Sequence, residues 1–477
     1  LNYIPTAGLE IHSQLATHTK IFCGCSTEFG SDPNTHSCPV CLGMPGVLPV
    51  LNRQAVELAI RLALRIGGEI QHRSYFARKN YFYPDLPKGY QISMFEFPLI
   101  RGGHYDVETP EGKKTIRFNR IHLEEDAGKL IHEEGNAESY FDVNRCGVPL
   151  VEIVTEPDFE TMEEITSFLN GLKEILVFSG VSRGNMEEGN IRVDANISLR
   201  PEGRKELGTR TEIKNMNSFA NVVSAISYEI DRQTDILESG GRVVQETLLY
   251  DAVNDKISPM RSKEEAHDYR YFPEPDLVPI IIDNEWIEKV KSELPEMRED
   301  FIERFKKDYN LPDYDSETLA ASPGVAVYFD TIVKAGADPK NASNLTLGKL
   351  QGFLNENKID IYEFEKIVKP QMLKELLDLV EDGEISGSMS KTVFDDMSAT
   401  GKSAHVIINS KGLKQISNKD ELEIIAREVI ESNPGEAEKY RAGKKQLLGF
   451  FVGQVMKKTK GKANPKEVNA IFQELLS

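Results

Sequence analysis

Residues 191–200 read Ile191-Arg-Val-Asp-Ala-Asn-Ile-Ser-Leu-Arg200, and every second side chain is apolar. Ile191, Val193, Ala195, Ile197 and Leu199 share one face; Arg192, Asp194, Asn196, Ser198 and Arg200 share the other. That period of two marks a strand with one face on a core and one polar face. Residues 8–15 repeat the pattern, with Leu9, Ile11 and Leu15 opposite Glu10, His12 and Gln14. Between such strands the period changes. Residues 53–66 carry Val56, Ile60, Ala63, Leu64 and Ile66 at helical spacing, with Asn52 as cap and Gly67-Gly68 as stop. Thr161-x-x-Glu164 opens a second helix as a capping box, and Gly180 ends it. Residues 218–239 form a third, closed by Gly240-Gly241. Strands and helices so mixed predict a large α/β region, one big sheet layered with helices.

The texture then shifts. Residues 271–279 are too proline-rich for a central strand and lead into the short apolar run 280–282. From 296 to about 403 the pattern is helical, with acid-rich faces, and 405–477 reads as a third, small helical unit. A length of 477 residues agrees with about three domains. No run of eighteen apolar residues occurs, which excludes a membrane-spanning helix of the usual kind. A net charge of −19 excludes indiscriminate coating of nucleic acid, so any such contact needs a local basic patch. No secretory leader is read, and the expected compartment is the cytoplasm.

Four of the five cysteines cluster as Cys23-x-Cys25 and, twelve residues later, Cys38-x-x-Cys41. Two close pairs across a short loop fit tetrahedral structural zinc, and four thiolates leave no open position for catalysis. His36 is expected to be a neighbour rather than a ligand. Cys146 stands apart and reads as a plain thiol.

Several carboxylates sit where stability would not place them. Glu152 interrupts the apolar run Val148-Pro-Leu-Val-Glu-Ile-Val154, and unpaired glutamates are rarely buried. Glu124, Glu125 and Asp126 follow His122-Leu123 without a break. Glu10 and His12 share a strand face, and Asp194 lies on the polar face of 191–200. Convergence on a divalent cation accounts for them together, magnesium being held by a few carboxylates, water and phosphates. Unrelated surface carboxylates remain the alternative. Lys79 and Lys88 lie in an aromatic, proline-rich loop and are suited to neutralising phosphates. Gly401-Lys402-Ser403 ends like a phosphate loop, but Asp396 stands where its first glycine belongs. Any ATP is therefore bound without that loop.

From Arg441 to Asn464 the chain has seven Lys or Arg and no acid. Lys444, Lys445, Lys457, Lys458, Lys460 and Lys462 flank the apolar stretch 447–456, a local inversion suited to an RNA phosphate backbone.

Five strings carry a family resemblance: Gly8-Leu-Glu-Ile-His12, Arg78-Lys-Asn-Tyr-Phe-Tyr-Pro-Asp85, Leu123-Glu-Glu-Asp-Ala-Gly-Lys129, Val151-Glu-Ile-Val-Thr-Glu-Pro-Asp158 and Asp268-Tyr-Arg-Tyr-Phe-Pro-Glu-Pro-Asp276. They resemble the B subunits of GatCAB tRNA-dependent amidotransferases, and Gly449–Met456 with Lys460–Pro465 looks like their YqeY-type tail. The resemblance implies an α+β chain. A mixed α/β "cradle" on an extended sheet would span 1–293, a helical domain 294–404 and an all-α tail 405–477. It implies binding of misacylated Glu-tRNA(Gln) or Asp-tRNA(Asn), phosphorylation of the side-chain carboxylate by ATP, and displacement of phosphate by ammonia. Ammonia would come from an amidase A subunit, a small C subunit would complete the heterotrimer, and an aminoacyl-tRNA synthetase is a candidate further partner. By the matched motifs, magnesium roles fall to Glu10, His12, Glu125 and Glu152, with Glu124 added. Glu125, Glu152, Asp194 and Lys79 form the catalytic group, Lys79 and Lys88 contact nucleotide phosphates, and the tail lysines contact tRNA. Which of Glu124 and Glu125 meets the metal stays open. The cysteine cluster is absent from some members of the family. The related E-type subunit carries an inserted synthetase-like domain, for which Pro279–Pro295 leaves no room.

Two other readings compete. A non-catalytic, zinc-containing tRNA scaffold explains the cysteines and the basic tail but not Glu152 or the polar face of 10–14. A zinc-dependent aminoacyl-tRNA hydrolase needs an open zinc position, which four thiolates deny.

Overall fold

The computed structural model describes residues 2–110, 112–132, 138–260, 269–413, 418–459 and 461–476. The chain divides into two compact units, one ending at Met297 and one beginning at Arg298.

The first unit is a ten-stranded sheet with helices on one side. Its strands are β1 (Tyr3–Gln14), β2 (Glu69–Ile70), β3 (Ile100–Arg101), β4 (His104–Thr109), β5 (Gly112–Glu125), β6 (Pro149–Thr155), β7 (Ile191–Pro201), β8 (Thr211–Met216), β9 (Thr247–Asp251) and β10 (Lys256–Pro259). The order is β10-β9-β8-β7-β1-β6-β5-β3-β2, with β4 hairpinned onto β5. β8 and β9 run parallel; the other pairs are antiparallel. The first strand in sequence is thus the central one, and residues from distant segments are brought beside it.

Alternation divides the faces as the sequence predicts. Leu9, Ile11, Ile121, Leu123, Val151, Ile153, Val193, Ala195, Ile197 and Ile213 are all at most 1% exposed and belong to one core cluster. Each of these side chains larger than alanine contributes roughly 1.5–3 kcal/mol of burial. Among the described residues four helices share that cluster: α1 (Arg53–Ile66), α2 (Met162–Phe178), α3 (Phe219–Glu238) and α4 (Asn284–Ser292). Their ends follow the sequence signals. Asn52 accepts the Gln54 N–H, Gly67 takes the left-handed conformation at φ 65°, and the Thr161–Glu164 capping box is formed. A small three-stranded sheet, Phe272–Pro273, Ala77–Asn80 and Tyr90–Ser93 in that order, carries the aromatic loop residues.

The second unit is built of helices, from Arg298–Lys307 to Pro465–Leu475. Phe305 packs edge-on against Phe329, and Phe364 stacks on Phe394. A separate apolar cluster gathers Leu422, Phe451, Val455, Ile471 and Phe472. No helix among the described residues is long and apolar enough to cross a membrane.

Candidate active site and cysteine cage

Register builds the site. On β1, His12 lies opposite Glu152 of β6 and Arg192 of β7; Glu10 lies opposite Asp194. Glu152 lies opposite His122 of β5 in turn, and Glu124 lies opposite Leu150. Residues of even number on β1 and β7, and those of β5 and β6 between the bulge at Val154–Thr155 and Glu124, therefore share the face turned away from the core.

At its centre, ligand-capable atoms of His12, Glu124 and Glu152 lie within 4.8 Å of one another. His12 Nε2 is 3.5 Å from Glu124 Oε1. Ser93 Oγ donates to Glu124 Oε2 at 2.8 Å, which fixes the carboxylate with its other oxygen toward His12. His122 Nδ1 is 3.4 Å from Glu152 Oε2. Burial opposes the Glu152 charge, but His122, His12 and Lys79 beside it prevail and hold its carboxyl down to about 2. Two carboxylates and one imidazole around a gap suit an oxygen-preferring divalent cation with open positions.

The remaining sequence-predicted residues take different places. Glu125 projects to the other side of β5. Both its oxygens accept from Lys88 Nζ, the longer contact at 2.6 Å, and Oε1 also accepts the Ile92 N–H. Of the two adjacent glutamates, Glu124 joins the triad and Glu125 does not. Lys88 is thereby engaged with Glu125 rather than free. Lys79 Nζ sits 4.8 Å from the Tyr269 ring centre, and its charge helps hold Glu152 ionised. Glu10 lies beside the triad without joining it, accepting from Asn196 Nδ2 at 3.0 Å. Burial, then Glu152 and Glu212, raise its pKa. Asp194 accepts from Lys214 Nζ at 3.1 Å.

Sequence reasoning missed His122 as the partner of Glu152, although it stands directly before the acidic string. It also missed that Arg192 pairs with Asp126. The Asp126 carboxyl is buried, and burial alone would raise its pKa. Arg192 Nη2 at 2.7 Å, Arg145 Nε at 3.5 Å and Gln14 Nε2 at 2.9 Å reverse that and lower it. Beside them opens a cavity of about 540 Å³, bordered by Gln14, Arg145, Arg183, Arg192 and Asp194. The signal for this basic edge is the polar face of 191–200, which carries cations as well as its acid.

The four cysteines meet as their spacing predicts, each offering Sγ within 4.8 Å of the others. A hydrogen bond from Cys23 pushes the Cys41 thiol down to about 4, with the Cys38 N–H and Lys20 assisting. Lys20 is fully buried: its Nζ donates to the carbonyls of His36 at 2.7 Å and Val143 at 3.2 Å, and lies 3.7 Å from Cys41 Sγ. A buried ammonium requires an anion. Of these three partners only the sulfur can carry charge, so the cage fits a thiolate-bound cation such as zinc. His36 supplies its carbonyl and stays outside the cluster. Gly43, at φ 65°, lies so close that a Cβ there would fall 2.3 Å from Lys88 Cγ. Cys146 is buried, which pushes its thiol up to about 12, away from nucleophilic use.

In the second unit Lys444 and Lys457 are exposed. Lys445 Nζ lies over the Tyr440 ring, Lys458 pairs with Glu428, and Lys462 donates to the Gly412 carbonyl at 2.9 Å. Lys460 lies outside the described residues, as does Asp268.

Fold and site define a class: an enzyme domain on a largely antiparallel sheet, with an open imidazole–carboxylate centre on its polar face, continued by a helical unit. Comparison with known proteins narrows it. The profile described as GatB/GatE catalytic domain matches residues 5–288, and that described as GatB domain matches residues 327–476. The chain belongs to the GatB/GatE family. A protein of Syntrophotalea carbinolica is 51% identical over 475 residues, covering all of this chain and 99% of its own. One of Thermodesulfovibrio yellowstonii is 51% identical and one of Chlorobium phaeobacteroides 52% identical, each along the whole of both chains. All three bear the name of the B subunit of an aspartyl/glutamyl-tRNA(Asn/Gln) amidotransferase.

Proposed function

We propose that this chain is the tRNA-binding, carboxylate-activating subunit of a glutamine-dependent amidotransferase, acting on Glu-tRNA(Gln), Asp-tRNA(Asn) or both. The observation that carries the reading is the triad of His12, Glu124 and Glu152 beside Lys79 in a chain 51% identical to named B subunits. A carboxylate resists ammonia because oxide is a poor leaving group. In the proposed reaction a side-chain carboxylate oxygen attacks the γ-phosphorus of ATP, the β–γ bridging bond breaks, and ADP leaves. Ammonia then attacks the acyl carbon and expels inorganic phosphate, losing a proton as the amide forms.

Phosphoryl transfer to an anion calls for charge neutralisation. His12, Glu124 and Glu152 would hold magnesium, which supplies that neutralisation when bound. Lys79 would meet a phosphoryl oxygen, and His122, 3.4 Å from Glu152 Oε2, supports the carboxylate's charge. Arg145, Arg183 and Arg192, at the edge of the 540 Å³ cavity, suit the remaining phosphates of ATP. Asp194 holds Lys214 toward the same face. The cysteine cage is read as structural zinc, and the exposed tail lysines as contacts to the tRNA backbone. The division of the second unit near residue 404 is part of this reading and is supported by the separate cluster around Phe451.

The relatives' names describe one part of a larger enzyme, which supports partners. An amidase A subunit would release ammonia, a small C subunit would complete the heterotrimer, and a synthetase would join a larger assembly. A role in protein synthesis supports the cytoplasm. The test is ADP release by the reconstituted complex with misacylated tRNA, comparing wild type with Glu152→Gln. The reading expects release that depends on the tRNA and collapses in the variant, while glutaminase activity and tRNA binding persist. Unchanged release would leave the chain as a tRNA scaffold and move the phosphorylating site to a partner.

A further inference from the structure

Four rings form a chain beside the open centre. Phe95 and Tyr271 stack with centroids 4.2 Å apart and planes 5° from parallel. Tyr271 meets Tyr269 edge-on at 6.0 Å, and Tyr269 meets Tyr81 at 5.8 Å. Burial, then Glu152 and Glu124, raise the pKa of Tyr271, and burial, then Asp85 and Glu124, raise that of Tyr81. The outer end is open, with Phe95 52% exposed. Beside it lies a cavity of about 370 Å³ bordered by Phe95, Glu96, Pro98, Arg101, Asn119 and Arg120. Arg101 donates to the Glu96 carbonyl and Arg120 to the Asn119 side-chain oxygen. Both partners are neutral, so both positive charges are left for an anion.

Folding stability does not explain this arrangement. Packing of the core would bury Phe95, yet its ring is held flat against Tyr271 with much of its area in water. Between the two tyrosines Arg270 adopts φ 45°, uncommon for a residue with a Cβ. Asn80 enforces it, donating its N–H to the Tyr269 carbonyl at 2.8 Å and its Nδ2 to the Arg270 carbonyl at 2.7 Å. Strained backbone of this kind persists where neighbours over-determine it, and such positions cluster at ligand clamps.

We propose that the exposed face of Phe95, the outer end of this ring track, is a stacking platform for the single-stranded 3′ end of the RNA substrate. Arg101 and Arg120 meet phosphates where the strand enters. The inference rests on the tRNA reading above. A nucleotide combines a flat π face with a neighbouring negative charge, the complement of a ring flanked by guanidinium groups. The reacting carboxylate hangs from the terminal ribose. Bringing it to His12, Glu124 and Glu152 requires the end nucleotides to be splayed from the helix and held, and stacking holds any base. A purely apolar partner face would leave the two arginines unmatched.

The test uses the assembled complex and a tRNA carrying 2-aminopurine as its terminal base. Binding to wild type quenches the probe. In Phe95→Ala the quenching is lost and the Kd for tRNA rises about 10-fold. Phe95→Tyr retains both, and a tRNA trimmed of its single-stranded end binds wild type and Phe95→Ala equally. Unaltered quenching in Phe95→Ala overturns the platform. So does failure of that variant to assemble while the assembled fraction still quenches, which would give the face to a partner protein. Absence of any tRNA binding by the wild-type complex defeats the proposed function itself, a different result.

Discussion

The first unit holds two clusters of metal-capable side chains built in opposite ways. The cage takes four donors of one kind from a single loop, Cys23 to Cys41, and closes on itself. The triad takes two carboxylates and an imidazole from three strands, His12, Glu124 and Glu152, three donors where the cage has four. Closure suits a cation that holds structure, and openness suits one that must also meet substrate. The neighbours differ in the same sense. The cage rests on a buried lysine with two carbonyl partners, while the triad has a serine that aims Glu124 and a histidine beside Glu152.

The contrast breaks first if the triad can be altered cheaply. Glu124→Gln is expected to lower tRNA-dependent ADP release by about 100-fold or more, since even the supporting groups of metal ligands are worth 10–100-fold. Its cage metal content, read by atomic emission, stays at the wild-type level. Equal loss in both readouts would make the two clusters one site. Cys41→Ser gives the converse: metal content of the isolated chain falls, and ADP release declines by less than in Glu124→Gln. A steeper decline would give the cage a part in the chemistry. Glu125→Ala tests the residue that the triad leaves out. It strands the nearly buried Lys88, so a chemical-denaturation midpoint should report a loss of about 3 kcal/mol. Activity lost without stability lost would return Glu125 to the reacting centre. The smallest effect is at Glu10, whose pKa is raised in the fold by burial. A carboxyl raised above its unfolded value destabilises the fold once it ionises, so the cost is absent at low pH and complete above the folded pKa. Glu10→Gln should therefore melt higher than wild type at pH 8 without added metal, with the gap closing toward pH 4. A gap that widens on acidification would refute the cause assigned here.

Legibility in the sequence followed the same divide. The cage was readable because its ligands are neighbours in the chain, and the helices because caps and stops are local. The alternation of 8–15 and 191–200 gave two strands and their faces. The triad was readable as residue types but not as a set. Choosing Glu124 over Glu125 depends on how β5 meets β6, and register is a property of pairing that neither strand states alone. His122 was missed for the same reason, since only pairing sets it opposite Glu152. Lys20 was invisible because a lysine in a loop ordinarily reads as solvated, whereas here the fold closes over it. The cationic edge at Arg192 was passed over because the acids on its strand drew the attention.

The central position of β1 has a consequence for how such chains can diverge. Its two faces are told apart only by odd and even position, and its neighbours are matched to it residue by residue. Substitutions can drift through this region one side chain at a time. A one-residue insertion or deletion within β1 would exchange His12 for Ile11 or Ser13 and turn the core face outward together with the loss of the site, unless a bulge absorbs it, as at Val154–Thr155 of β6 and Val193–Ala195 of β7. Changes of chain length in descendants are thus accommodated in the turns or at such bulges.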